Sequence, residues 1–216
     1  MRDPVKPRRS YHSPRRRQQA AATRQGILEA AERLFEERGY PATTMEQVAD
    51  QAGVALKTVY VAFATKSGLL RALWDLRLKG DQEEAGVAER SWYREVVEEP
   101  DPGRQLRRNA RNARVVKERI AGILKVLRSA APVDPDAAAL WHLIQTDFYG
   151  NQRVIVESLH ARRALRRGLG VDRATDILWT LNHPDVWLLL VGERGWTPAQ
   201  WERWFADTAC QQLLGS

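Results

Sequence analysis

The chain has 216 residues, of which 44% are hydrophobic, so it can form one large or two small domains with a substantial core. Its one cysteine, Cys210, rules out an internal disulfide, and no apolar run approaches the length of a membrane span. The basic N-terminus is not followed by the apolar segment that a secretory signal needs, so a reducing compartment is the expected location.

The positive charge is concentrated in the first third of the chain. The net charge is +7, and residues 1–74 hold 13 Lys and Arg against 7 Asp and Glu, whereas the remainder holds 21 against 20. A basic excess confined to one segment is typical of a nucleic-acid-binding surface. The alternative is a charge pattern that only keeps the protein in solution.

Residues 1–22 are predicted to be a disordered basic arm. They combine Lys and Arg with proline and small polar residues, and they lack apolar periodicity. Such an arm can lie along DNA phosphates or enter a neighbouring minor groove, or it can be a tail without a role.

Two short helices joined by a sharp turn are predicted between residues 43 and 66. Thr44 and Gln47 have the spacing of a capping box, and Gly53 supplies the positive φ that the chain needs on leaving the first helix. A preceding helix from Thr23 to Arg38 carries an apolar stripe that supports the pair. This pattern is typical of a helix-turn-helix, whose second helix enters the DNA major groove.

The second helix leaves several side chains off its core face. Lysines can neutralise phosphates, hydroxyls can hydrogen-bond to phosphates or bases, and the apolar Leu56 and Val61 can pack on thymine methyl groups. In an ordinary helical hairpin such side chains are simply solvated. The predicted DNA-binding residues are Thr44, Ala55, Leu56, Lys57, Thr58, Tyr60, Val61 and Lys66.

Residues 24–74 resemble the DNA-binding domain of the TetR family of transcriptional regulators. The matching residues are ILEAAERLFEERGYPATTMEQVADQAGV, then KTVY, Phe63 and TKSGLL. The resemblance implies phosphate contacts for Tyr60 and Lys66 and a helix cap for Thr44. The chain departs from the residues usual in the family at Ala55, Lys57 and Ala62. Its operator is therefore expected to differ from those of the better-known members.

The remainder of the chain reads as helices separated by caps, so an all-α fold is predicted. Asp-Pro pairs at residues 101–102 and 134–135 begin two long helices, and Asp172 is expected to cap a short one. Thr197 begins the last helix with a second capping box. The predicted organisation is an N-terminal three-helix helix-turn-helix domain at 23–74 and a larger C-terminal helical ligand-binding and dimerisation domain at 75–216.

The last helices carry the predicted dimer interface. Residues 184–194 are apolar on nearly every face, and the resemblance to the TetR family places a two-fold interface on residues 184–214. The alternative is that these helices form only the core of their domain. A two-fold dimer requires a near-palindromic operator. The predicted interface residues are Trp187, Leu188, Val191, Trp201, Trp204, Phe205 and Leu213.

The resemblance also implies a cavity for an unidentified small-molecule effector in the C-terminal domain. Polar residues near the apolar stripes can orient a ligand and aromatic residues can line the wall, although each can equally be solvated or part of the core. The predicted ligand-contacting residues are Trp74, Arg114, Trp141, His142, Gln145, Phe148, Tyr149, Asn151, Gln152 and Trp179, with Asp147 as a further candidate.

No catalytic residue, metal site or cofactor is predicted. The chain lacks a nucleophile elbow, a glycine-rich phosphate loop, HExxH and CxxC, and its four histidines lack metal-ligand spacing. We predict a homodimeric regulator, most simply a repressor, that binds double-stranded DNA on the nucleoid in the bacterial cytoplasm and is released by a small molecule. Two alternatives remain open: a DNA-binding regulator without a small-molecule ligand, and a helical binding module that has lost DNA binding.

Overall fold

The computed structural model describes residues 14–80 and 87–215. The fold is all-α, as predicted, and within the described residues the only β-type pairing is an isolated bridge between Leu165 and Leu214. No helix in this part of the chain is long and apolar enough to cross a membrane. The helices are α1 (Pro14–Arg38), α2 (Met45–Ala52), α3 (Leu56–Phe63), α4 (Lys66–Lys79), α5 (Ser91–Glu98), α6 (Pro102–Ala130), α7 (Pro135–Ala161), α8 (Val171–Leu181), α9 (Pro184–Trp187) and α10 (Pro198–Leu213).

Helix α1 begins nine residues earlier than the expected start at Thr23. Residues 14–22, predicted as part of a disordered arm, continue the helix, and the rest of that arm lies outside the described residues. Alanine, glutamine and arginine dominate this stretch, and all three favour helix. Once the buried part of α1 is formed, adding such residues to its end costs little, because nucleation has already occurred.

The helix-turn-helix forms through the predicted local signals. The Thr44 hydroxyl accepts from the backbone N–H of Gln47 at 3.2 Å, and the Gln47 side chain accepts from the N–H of Thr44 at 3.0 Å. Gly53 ends α2 in the left-handed region with φ of 65°. Thr65 then caps α4 by accepting from the N–H of Gly68 at 2.9 Å.

The caps of the later helices agree with the sequence with one exception. Asp101, Asp134 and Thr197 cap α6, α7 and α10, each with proline at the start of the helix. The expectation that Asp172 caps α8 is wrong. The helix begins one residue earlier, at Val171, and Gly170 is its N-cap, so the Asp172 carboxylate lies within the first turn.

The helix expected over residues 184–194 is irregular. It consists of one α-helical turn, α9, followed by a π-helical segment over Leu188–Glu193. His183 caps α9 by accepting from the N–H of Asp185 at 3.1 Å. Gly195, with φ of 71°, terminates the segment.

Two hydrophobic cores run through the molecule, and the first of them joins residues of both predicted domains. The first contains the buried faces of α1–α4 together with Ile120–Ala130 of α6 and the first half of α7. The second contains α5, the first half of α6 up to Ala113, the second half of α7, and α8–α10. Helices α6 and α7 therefore cross from one core to the other.

Candidate functional site

The exposed face of α3 carries polar and apolar side chains side by side. Val59 and Phe63 are buried and hold the helix on the first core, whereas Lys57 and Thr58 are exposed. Tyr60 is 49% exposed and Val61 is 79% exposed. An exposed valine next to an exposed tyrosine is unexpected on a purely solvated face, but it suits a surface that contacts DNA bases and phosphates.

Two of the predicted DNA-binding residues, Leu56 and Ala55, offer little side chain for a contact with DNA. Leu56 was expected off the core face, but it is partly buried and packs against the first core. It is the first residue of α3. Ala55, the N-cap of α3, is exposed but makes no side-chain capping bond.

Lys66 is held against the loop between α1 and α2. Its Nζ donates to the carbonyl oxygens of Tyr40 at 3.0 Å and Thr43 at 3.1 Å, and it lies 4.3 Å from the centroid of the Tyr40 ring. Burial lowers the pKa of Lys66, and the negative charge of Asp134 opposes this shift. One ammonium proton is left for an outside acceptor, so a phosphate contact stays possible while the lysine also fixes the start of α4.

Helix α1 braces α3 through a contact that the sequence did not indicate. The Arg24 guanidinium donates to the carbonyl oxygen of Ala62 at 2.7 Å and lies 4.2 Å from the centroid of the Phe63 ring. This contact fixes the C-terminal end of α3. It joins residues 38 positions apart, and no local pattern reports such a pairing.

The start of α7 is hydrogen-bonded to the helix-turn-helix. The Tyr40 hydroxyl donates to Asp134 Oδ2 at 2.6 Å, and the Ser67 hydroxyl donates to Asp136 Oδ2 at 3.2 Å. The Tyr40 hydrogen bond is the main reason that the pKa of Asp134 is lowered. A second link joins α4 to α1, where Arg77 makes a two-pronged ion pair with Glu32.

A cavity of about 670 Å³ lies between α4, α5, α6 and α7. Its volume is within the range of pockets that hold drug-sized molecules. Half of the predicted ligand-contacting residues line it, namely Trp74, Gln145, Phe148, Asn151 and Gln152. Asp147 also lines it and is exposed.

The other predicted ligand-contacting residues lie elsewhere. Arg114 on α6 pairs with Glu202 of α10 and with Glu118 one turn later on its own helix. The remaining four do not line the cavity either. They are Trp141, which lies under the Arg128 guanidinium; His142, which is exposed; and Tyr149 and Trp179, whose rings contact each other. On a helix with two apolar faces, periodicity does not tell which face meets the cavity.

Lys117 lines the cavity and was not among the predicted ligand-contacting residues. It is 4% exposed, its ammonium donates to Asn182 Oδ1, and its Nζ lies 5.0 Å and 5.5 Å from the ring centroids of Trp201 and Phe148. Among the described residues no carboxylate pairs with it, and burial lowers its pKa to about 7. A signal was present, since the position continues the buried stripe of Ala113 and Ile120.

Amide side chains surround the buried lysine. Asn182 Nδ2 donates to Gln152 Oε1 at 3.3 Å, and Gln145 Oε1 lies 2.9 Å from His183 Nε2. Because His183 Nδ1 accepts from a backbone N–H, Nε2 carries the proton and donates to Gln145. Burial lowers the pKa of His183, in agreement with this neutral form. Gln145 Nε2 and Asn109 Nδ2 are buried without a hydrogen-bond partner in the described part of the chain.

Comparison with known proteins assigns the helix-turn-helix to a family. Residues 27–73, which span α1 to α4, match the bacterial regulatory proteins of the tetR family. By this match, the domain formed by α1 to α4 is a helix-turn-helix domain of the TetR type. The HTH-type transcriptional regulator AcrR of Shigella flexneri is 40% identical over 60 residues. That match covers 28% of this chain and 28% of AcrR, so it concerns the DNA-binding domain alone.

Solved structures extend the likeness to the whole fold. NalD, the secondary repressor of the MexAB-OprM multidrug efflux pump in Pseudomonas aeruginosa, has a TM-score of 0.68 at 22% identity. The alignment covers 90% of this chain and 98% of NalD. SmeT, solved as a complex with triclosan, has a TM-score of 0.68 at 18% identity and covers 89% of this chain and 92% of SmeT. At these identities the likeness concerns the fold alone.

The predicted dimer-interface residues fall into two groups. Leu188, Val191 and Trp204 are partly exposed, and so can contribute to an interface. The other four are part of the second core of a single chain, with at most 3% exposure, and the prediction for them is wrong: Trp187, Trp201, Phe205 and Leu213. The stripe of α10 faces α6 of the same chain, because the apolar face of an amphipathic helix packs first against its own core.

Proposed function

We propose that this protein is a dimeric transcriptional regulator, most simply a repressor, that leaves its operator when a small molecule occupies the cavity. The observation that carries the proposal is the exposed face of α3 in a helix-turn-helix of the TetR family. The cellular site of action is the DNA of the bacterial cytoplasm.

The side chains of α3 divide into positioning and reading roles. Lys57 and Lys66 neutralise phosphates and give the binding its salt dependence. Thr58 and Tyr60 donate to phosphate oxygens or base edges, and Thr44 does so from the start of α2. Val61 is the most exposed apolar residue of the helix and packs on a base, with a thymine methyl as the natural partner.

A second copy of the chain supplies the other half of the reading surface. The segment after α9 presents an apolar surface, with Leu189 at 51% exposure and Val191 partly exposed beside it. Trp204 on α10 is also partly exposed and packs edge-on against Trp196, with ring centroids 6.1 Å apart. Pairing these surfaces by a two-fold axis places two α3 helices on half-sites about one turn of DNA apart.

The cavity supports a small-molecule response over a regulator without a ligand. It is lined by α4 and α7, and both helices are bonded to the helix-turn-helix at their N-terminal ends through Lys66, Ser67 and Tyr40. A ligand changes DNA affinity only if it binds one arrangement of these helices better than the other. The triclosan complex of SmeT is a precedent for a ligand in this fold.

Selection of bound sequences from random duplex DNA, at a stated salt concentration near physiological, tests the proposal. We expect a motif with two-fold symmetry, which Val61→Ala alters at one position of each half-site. The matched control is Val133→Ala, an equally conservative change at an exposed valine between α6 and α7. Recovery of no motif, with binding that disappears as salt rises, would leave only electrostatic attraction and would contradict the proposal.

A further inference from the structure

The cavity contains a buried ammonium, that of Lys117, which no carboxylate of the described residues neutralises. Resting on the function proposed above, we propose that the effector is an amphipathic anion whose acidic group binds the ammonium of Lys117 and whose apolar body fills the rest of the cavity. The lysine is 4% exposed, and within residues 14–80 and 87–215 its hydrogen bond goes to a neutral amide oxygen, Asn182 Oδ1. A buried ammonium without a counter-ion is costly, and a carboxylate or similar acidic oxygen group removes that cost.

The buried side-chain groups of the lining that lack a hydrogen-bond partner among the described residues are donors. Lys117 has two ammonium protons that make no hydrogen bond to a described residue. Asn109 Nδ2 and Gln145 Nε2 are buried without an acceptor, and Asn109 itself is 7% exposed. The oxygens of Gln145, Gln152 and Asn182 already accept hydrogen bonds from protein groups. A ligand that satisfies this lining must bring acceptors rather than donors.

Besides Lys117, the charged residues of the lining are two bases and three acids, namely Arg71, Lys79, Asp75, Glu89 and Asp147. Burial raises the pKa of Asp75 on α4, and the positive charges of Arg71 and Lys79, one turn before and one turn after it on the same helix, oppose this shift. The remaining acids of the lining, Glu89 and Asp147, are exposed. Lys117 is the most deeply buried of these charged groups.

The walls beside the lysine select a flat apolar body. Trp74 is 5% exposed and Tyr93 is 6% exposed, and the Phe148 ring stands 5.5 Å from the ammonium. Aromatic walls offer large contact areas without hydrogen-bonding demands. A polar sugar or a small inorganic anion would leave these walls unfilled, so an aromatic or polycyclic acid fits the lining best.

Two fluorescent probes with one ring system separate charge from shape. Anilinonaphthalene sulfonate is an apolar anion, and phenylnaphthylamine is the same aromatic body without the sulfonate. We expect the full-length protein to bind the anion about tenfold or more tightly than the neutral probe, because the sulfonate accepts charge-assisted hydrogen bonds from Lys117. In Lys117→Met this preference should disappear while the neutral probe binds as before.

The control is Lys125→Met, which removes an exposed lysine from the same helix and should keep the preference. Thermal unfolding of each variant verifies that it is folded. Equal binding of both probes to the unaltered protein, binding of neither, or an unchanged preference in Lys117→Met would each overturn the inference. The assay contains no DNA, so a failed operator selection beside a Lys117-dependent preference would refute the proposed regulation and leave the anion site standing.

Discussion

Replacing Lys117 by methionine tests whether the burial of this lysine lowers the free energy of unfolding. The side chain is buried, and its only hydrogen-bond acceptor in the described structure is Asn182 Oδ1. Burial lowers the pKa of this lysine from 10.5 to about 7, because the charged form loses its hydration. Methionine has a similar volume and no charge, so Lys117→Met should raise the free energy of unfolding.

The size of this gain depends on pH in a way that identifies its cause. Below about pH 7 the lysine is protonated in both folded and unfolded chains, and the full penalty applies. The interval between pKa 10.5 and about 7 corresponds to about 5 kcal/mol, at about 1.4 kcal/mol for each pH unit. Between these pH values the unfolded chain binds the extra proton, so the stability of the unaltered protein rises with pH and the penalty shrinks.

The advantage of Lys117→Met should therefore be about 3 kcal/mol smaller at pH 9 than at pH 6. The lost hydrogen bond to Asn182 subtracts about 1 kcal/mol at both pH values and does not affect the comparison. Urea unfolding followed by tryptophan fluorescence measures both free energies. Lys125→Met should change them by less than about 0.5 kcal/mol. An advantage of equal size at pH 6 and pH 9 would refute the reasoning, because burial would then not have moved the titration of Lys117 into this range.

Four further substitutions probe the reading surface and the helices that support it. Tyr40→Phe removes the hydroxyl that donates to Asp134, the cap of α7, and should lower the free energy of unfolding by about 1 kcal/mol in thermal unfolding. It should also weaken the effect of the ligand on operator binding. A ligand effect of unchanged size would exclude this contact from the coupling between cavity and helix-turn-helix. Lys66→Ala should weaken binding to all duplexes alike and reduce the slope of log affinity against log salt by about one, so a changed operator preference would contradict its phosphate role. Gly68→Ala places a methyl group 2.4 Å from a backbone carbonyl oxygen of α3 and should lower the free energy of unfolding by about 1–3 kcal/mol. Gly150→Ala adds a methyl group in open space on α7 and should raise it by about 0.5–1 kcal/mol. Equal melting temperatures for the two alanine variants would contradict the close approach of α4 to α3.

Local signals predicted most of the helix boundaries. The capping boxes at Thr44 and Thr197 and the Asp-Pro start at Asp101 depend on residues within four positions of each other, so the sequence contains all the information they need. Asp172 shows the limit of this reasoning. Its carboxylate lies in the first turn of α8 and accepts a hydrogen bond from Arg153 on α7, a residue 19 positions earlier in the chain.

Partners distant in sequence could not be predicted in this way. The stripe of Trp201, Phe205 and Leu213 is visible in the sequence, but the same stripe fits a core or a dimer interface equally well. Lys117 occupies a core position of α6, yet a lysine in a helix reads as solvated unless the opposite wall is known. The residues that were hardest to place are thus those whose environment is built by several helices at once.

The position of the cavity between the two cores gives a physical basis for ligand control. Trp74 belongs to the first core, which contains the reading helix, and Tyr93 belongs to the second, which contains the proposed dimer surface. On α6 the second core ends at Ala113 and the first resumes at Ile120, so Lys117 lies where the helix passes from one to the other. An anion bound to Lys117 can therefore favour one placement of the cores over another without distorting either. A hundredfold preference for one placement provides about 2.7 kcal/mol, which is enough to turn a minor arrangement into the major one.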